Sequence, residues 1–149
     1  GGLEVALAGH LLFVAPDAAL GQPEMKLGVF APAASCLLPE LVGPQRALDL
    51  LVSGRSITGT EAAAMGVACE ATADPERAAL AYFEEQLRPK SASSLRYAVK
   101  AARLDYVARV KDKIRAVERL YLEELMATHD AVAGLEAFIA KRPPQWLHR

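Results

Sequence analysis

The stretch Leu20-Gly21-Gln22-Pro23-Glu24-Met25-Lys26-Leu27-Gly28-Val29-Phe30-Ala31-Pro32 limits the chain most. Pro23 fixes its own φ and disfavours helix at Gln22. Gly21 and Gly28 permit turns or close approach of other backbone. No regular helix or central strand runs through such a segment, so it reads as a turn or loop between elements. One carboxylate, Glu24, stands in it among Met25, Leu27, Val29 and Phe30, which offer a low-dielectric lining. Apolar surroundings push a carboxyl toward titration near neutrality, the range a general acid/base needs. The same residues also suit a surface loop with Glu24 in water.

The 149 residues allow one domain with a core, and 52% apolar against 23% charged residues is a globular balance. A net charge of −1 gives no global pull toward nucleic acid or an anionic membrane. Cys36 and Cys69 form neither a metal spacing nor a disulfide framework, which suits a reducing cytoplasm. No apolar run reaches membrane-spanning length. No signal peptide is read, and Gly1-Gly2 looks like the middle of a motif, so residues are expected upstream.

Upstream of Glu24, Leu3, Ala6, Leu7 and His10 fall at helical spacing, with Gly9 as a stop. Glu4 lies in the first turn, where it can complement the helix dipole or face a pocket. Leu11–Ala15 reads as a buried strand ended by Pro16-Asp17. Helix, strand and turn therefore join Glu4 to Glu24, a layout that can bring the two carboxylates together.

Downstream, a helix is expected over Ala33–Val42, broken by Pro39, then another over Gln45–Val52. Thr58 and Glu61 form a possible capping box for a short helix stopped by Gly66. Val67–Ala71 could be a short strand. Asp74-Pro75-Glu76 is a helix start, with the helix running to about Leu87. After Pro89 come helices from Ser91 to about Leu104, from Asp105 to Ala127 and from Ala131 to Ala140. The middle one carries Val107, Val110, Ile114, Val117, Tyr121 and Leu125 on one stripe. Its basic residues are diluted by Asp112, Glu118 and Glu123, so it reads as a solvated face rather than a nucleic-acid patch. His10 and Cys36 read as structural.

Four segments in order resemble the enoyl-CoA hydratase/isomerase (crotonase) superfamily. They are Gly1–Ala8, Ala19–Glu24, Leu51–Ile57 with Glu61-Ala62 and Gly66–Ala68, and Asp130–Arg142 with Phe138 and Lys141-Arg142. The resemblance implies an α/β chain. Residues 1–89 would be the C-terminal part of a crotonase-type ββα spiral, and residues 90–149 a helical trimerisation segment. It implies acid/base roles for Glu4 and Glu24, and a backbone oxyanion donor at Gly1, with a second donor upstream. Pro23, Val29, Phe30 and Ala31 would belong to the acyl pocket. Phe138 and Lys141 resemble positions that meet the CoA of a neighbouring subunit. From the residues alone they could equally be packing and a solvated charge.

The apolar loop Gly28–Ser35 is similar to that of the cyclohexa-1,5-diene-1-carbonyl-CoA hydratases of anaerobic benzoyl-CoA breakdown. That similarity implies 1,4-addition of water to a ring dienoyl thioester. The implied partners are an acyl-CoA substrate, the upstream half of the same subunit, and copies in a trimer or hexamer. No metal, no separate cofactor (CoA being part of the substrate), no nucleic acid and no membrane are implied. His10 stands where the family commonly has Asp. The alternatives are an enoyl-CoA hydratase, isomerase or ring-opening hydrolase on the same fold, or a non-catalytic helical or RNA-binding relative.

Overall fold

The computed structural model describes residues 1–149. Helix α1 spans Gly2–Leu7 and is followed by strand β1, Phe13–Val14, and strand β2, Leu20–Gly21. Helices α2, Pro32–Val42, and α3, Pro44–Ser53, come next, then β3, Ser56–Ile57, α4, Gly59–Met65, and β4, Glu70–Ala71. Helix α5, Pro75–Tyr82, continues as one wider turn, Phe83–Leu87. Three more helices follow: α6, Ala92–Ala102, α7, Leu104–Arg119, and α8, His129–Ile139. No helix is long and apolar enough to cross a membrane.

The expected strands shrink to two-residue pairings. β1 pairs parallel with β4, Phe13 opposite Glu70, and β2 pairs antiparallel with β3, Leu20 opposite Ile57. Their burial comes from the helices around them. Leu7, Val14, Leu20, Leu38, Leu50 and Ile57 belong to one core cluster drawn from six elements. Cys36 is buried, as expected of a small hydrophobe, and burial pushes its thiol pKa up.

Local signals are obeyed where they need no partner. Thr58 Oγ1 accepts from Glu61 N at 3.2 Å while Thr58 N donates to Glu61 Oε2 at 2.7 Å, completing the capping box. The backbone bond from Thr58 holds the Glu61 carboxyl below its ordinary range. Asp74 and Ser91 cap α5 and α6 by accepting from Arg77 N and Ser94 N.

Four expectations need correction. Pro39 does not break α2, which runs through it to Val42. The proline removes one backbone bond, and burial of Ala34, Cys36, Leu37 and Leu38 on the same helix outweighs that loss. The helix expected to reach Ala127 ends at Arg119 and gives way to a π turn, Leu120–Glu124, and a 3₁₀ turn, Leu125–Ala127. No breaker residue marks that change, which coincides with Tyr121 packing on Phe30. Val107 drops out of the buried stripe and is exposed, whereas Val110 packs on the core. The Glu24 stretch is a 3₁₀ helix, Pro23–Leu27, stopped by Gly28 at φ 77°.

The helical segment is fastened to the first part by Arg109, whose Nη2 donates to Glu40 Oε2 at 2.7 Å. That bond holds the Glu40 carboxyl below its ordinary range. Arg103 also donates to the Gly9 carbonyl at the end of α1 and stacks 4.6 Å over the Tyr106 ring.

The tail folds back over α8. Asp130 accepts from Leu147 N at 2.8 Å and His148 N at 2.7 Å, and lies 3.1 Å from His129 Nδ1. The Leu147 bond, the largest influence, holds the Asp130 carboxyl below its ordinary range. A depressed carboxyl stabilises the fold above its unfolded pKa and loses that contribution as pH falls through the folded value. Hydrogen exchange of the Leu147 and His148 amides, corrected for intrinsic rates, is therefore expected to stay protected down to about pH 4 and rise below it. Asp130→Asn should already show the raised exchange at neutral pH.

Candidate active site

Helix α1 begins at Gly2, placing Glu4 in its first turn. Helix α2 begins at Pro32, and its capping position, Ala31, has no side-chain acceptor. Glu4 fills that role from thirty positions away: Ala34 N donates to Glu4 Oε1 at 3.0 Å. One first-turn amide of α2, together with the helix dipole, thus fixes one carboxylate oxygen. The other, Oε2, lies 3.7 Å from the Gly1 nitrogen.

Glu24 reaches the same nitrogen from the 3₁₀ helix, its Oε1 lying 3.9 Å away. The two carboxylates that the sequence places twenty residues apart therefore converge on one nitrogen. Neither is a solvent-facing surface group, with side chains 19% and 24% exposed for Glu4 and Glu24. Glu24 Oε2 is buried without a hydrogen-bond partner, which costs stability unless the oxygen has other work.

A cavity of about 410 Å³ opens beside Glu4. Pro32 and Ala33 form one wall, and Ile114, Glu118, Tyr121 and Leu122 the other. Tyr121 meets Phe30 edge to face, ring centres 5.3 Å apart. The helical third thus supplies a wall of the cavity. Neither Tyr121 nor Glu118 stands out as a site residue in the sequence. Glu118 read as part of a solvated face and Tyr121 as one member of an apolar stripe. A phenol within an otherwise aliphatic stripe was the available signal for Tyr121; nothing marked Glu118.

The other candidates are spread more widely. Phe30 is half-buried, Val29 and Ala31 are buried, and Pro23 is exposed at the start of the 3₁₀ helix. Pro32 and Ala33, just beyond Ala31, reach the cavity. Met25 is exposed. Phe138, near the end of α8, and Lys141, just past it, are exposed, and neither lines the cavity.

The family model described as Enoyl-CoA hydratase/isomerase matches residues 1–149. The chain is 62% identical over 149 residues to a cyclohexa-1,5-dienecarbonyl-CoA hydratase of Thauera aromatica, covering all of this chain and 58% of that protein. It is 35% identical over 154 residues to a probable enoyl-CoA hydratase of Mycobacterium leprae, again covering all of this chain and 58% of the relative. The structure superposes on a crystal structure of carnitinyl-CoA hydratase from Mycobacterium avium with a TM-score of 0.88 at 30% identity, covering 100% of this chain and 59% of that one. The chain spans less than two thirds of these relatives and corresponds to their C-terminal part. A match along the whole sequence and a superposition along the whole backbone agree: the chain belongs to the enoyl-CoA hydratase/isomerase family and carries the C-terminal portion of the crotonase fold.

Proposed function

We propose that the protein containing this chain adds water to cyclohexa-1,5-diene-1-carbonyl-CoA. The observation that carries the reading is the convergence of Glu4 and Glu24, with Glu4 lining a cavity whose wall includes Pro32, Ile114 and Tyr121, the last packed on Phe30. The 62% identity to a hydratase of that name supports the choice of substrate.

Water held between the two carboxylates loses a proton to one of them as its oxygen bonds to the β carbon. The displaced π pair moves into the thioester, giving a dienolate. The far end of that dienolate takes a proton from the carboxyl group, leaving one ring double bond. The product is 6-hydroxycyclohex-1-ene-1-carbonyl-CoA, and no redox partner is needed. Negative charge on the thioester oxygen calls for fixed donors, worth about 10²–10³ in rate each. The Gly1 N–H is assigned as one and a residue outside this chain as the other. CoA is part of the substrate, and no separate cofactor is invoked.

Pro23, Val29, Phe30 and Ala31 belong to the segment shaping the acyl end, with Pro32, Ala33 and Tyr121 as its wall. Phe138, exposed on α8, and Lys141, exposed just past its end, are assigned to the CoA of a neighbouring subunit in a cytoplasmic trimer or hexamer. The test is water addition by the full-length protein to the ring diene and to crotonyl-CoA. A kcat/KM favouring the ring diene is expected. Preference for crotonyl-CoA would keep the hydratase and discard the ring pocket. Isomerised product without added water, or a ring-opened carboxylate, would discard hydration itself.

A further inference from the structure

Behind Glu24 lies a layer that the acid/base chemistry does not use. The 3₁₀ helix bearing Glu24 has no side-chain cap, and Glu24 Oε2 has no hydrogen-bond partner. The height of this short helix is set from below. α8 passes so near that a Cβ on Gly134 would stand 2.1 Å from the Leu27 carbonyl oxygen. The indole of Trp146 fills the space beside that contact. A Cβ on Gly28 would meet its Cζ3 at 2.9 Å, and one on Gly134 would meet its Cη2 at 2.9 Å. The segment presenting the indole is tied down by Asp130 through the amides of Leu147 and His148, and Asp130 N donates to the Arg149 carbonyl at 3.3 Å.

We propose that Trp146 is a positioning residue for Glu24. Its indole, held by the Asp130 clamp, supports Leu27–Gly28 and so fixes where the Glu24 carboxylate stands opposite Glu4. A 3₁₀ helix has poorer hydrogen-bond geometry than an α-helix and yields readily once its support is removed. A shift of about 1 Å in a reacting group can cost about a hundredfold in rate. The proposal rests on the assignment of Glu24 to the chemistry.

The experiment is a cycle in the full-length protein: Trp146→Ala, Trp146→Phe, Glu24→Gln and the double variant W146A/E24Q. Trp146→Ala is expected to lower kcat roughly tenfold to a hundredfold with little change in KM. Trp146→Phe should restore most of it by refilling the gap. In the Glu24→Gln background Trp146→Ala should add no further loss, because it acts through the carboxylate already removed. An equal loss in both backgrounds would make Trp146 a general packing residue and overturn the proposal. An inactive Glu24→Gln beside an undiminished Trp146→Ala would sink the proposal alone. Near-normal turnover of Glu24→Gln would remove the acid/base reading and the proposal together. If Trp146→Ala does not fold, Asp130→Asn, which keeps the indole side chain but loosens the clamp that holds it, takes its position in the same cycle.

Discussion

Glu24→Gln in the full-length protein is expected to lower kcat by about 10²–10⁴-fold, the range that a positioned proton-transfer group supplies. The amide matches the carboxylate in size but cannot accept and return a proton. Glu24 Oε2 has no hydrogen-bond partner to lose, and the 3₁₀ helix takes no cap from this side chain, so folding should hardly change. Glu4→Gln is the informative companion. Its carbonyl oxygen can still accept from Ala34 N, so the cap on α2 survives while the proton chemistry does not. Both variants should fold normally, by circular dichroism, and turn over slowly. Near-normal turnover in Glu24→Gln would exclude it as the acid or base.

Gly134→Ala is expected to destabilise where helix propensity alone predicts the reverse. In an unencumbered helix the change stabilises by roughly 1 kcal/mol. Here the new Cβ would stand 2.1 Å from the Leu27 carbonyl oxygen, and backbone must shift to admit it. Overpacking of this kind costs about 3 kcal/mol, enough to win. Gly59→Ala should cost a similar amount, since its Cβ would lie 1.9 Å from the Ala15 carbonyl oxygen. The two differ in what they disturb. Gly134 presses on the segment bearing Glu24, whereas Gly59 faces the end of β1. Both should lower the melting temperature, and Gly134→Ala should also lower kcat in the molecules that remain folded. A Gly134→Ala protein as stable as its parent would show that α8 can draw back without cost.

Much of the organisation was legible because it is written in short-range chemistry. Thr58 and Glu61, Asp74 with Pro75, and Ser91 satisfy their own helix ends with atoms three residues away, so spacing suffices to read them. Glu4 and Glu24 were legible as candidates because each stands in a segment of unusual residue types. Their convergence was only an expectation until the fold set both beside the Gly1 nitrogen. The strand lengths, the path of α2 through Pro39 and the end of α7 were not legible in the same way. Each is decided by burial against distant parts of the chain, which outweighs a lost backbone bond or a favourable local propensity.

Helix starts, the turn or close approach at Gly21 and Gly28, and the pair of candidate carboxylates are all readable from the residues alone. These depend on one residue's stereochemistry or on neighbours within a turn. Folding in three dimensions sets the rest: Glu4 caps α2 through Ala34, Tyr121 and Glu118 wall the cavity, Gly134 meets the Leu27 carbonyl, and Trp146 packs against Gly28. Such contacts join residues 30 to more than 100 positions apart, and no local periodicity records them. They exist because packing the apolar faces of α2, α7 and α8 fixes which distant atoms come within reach.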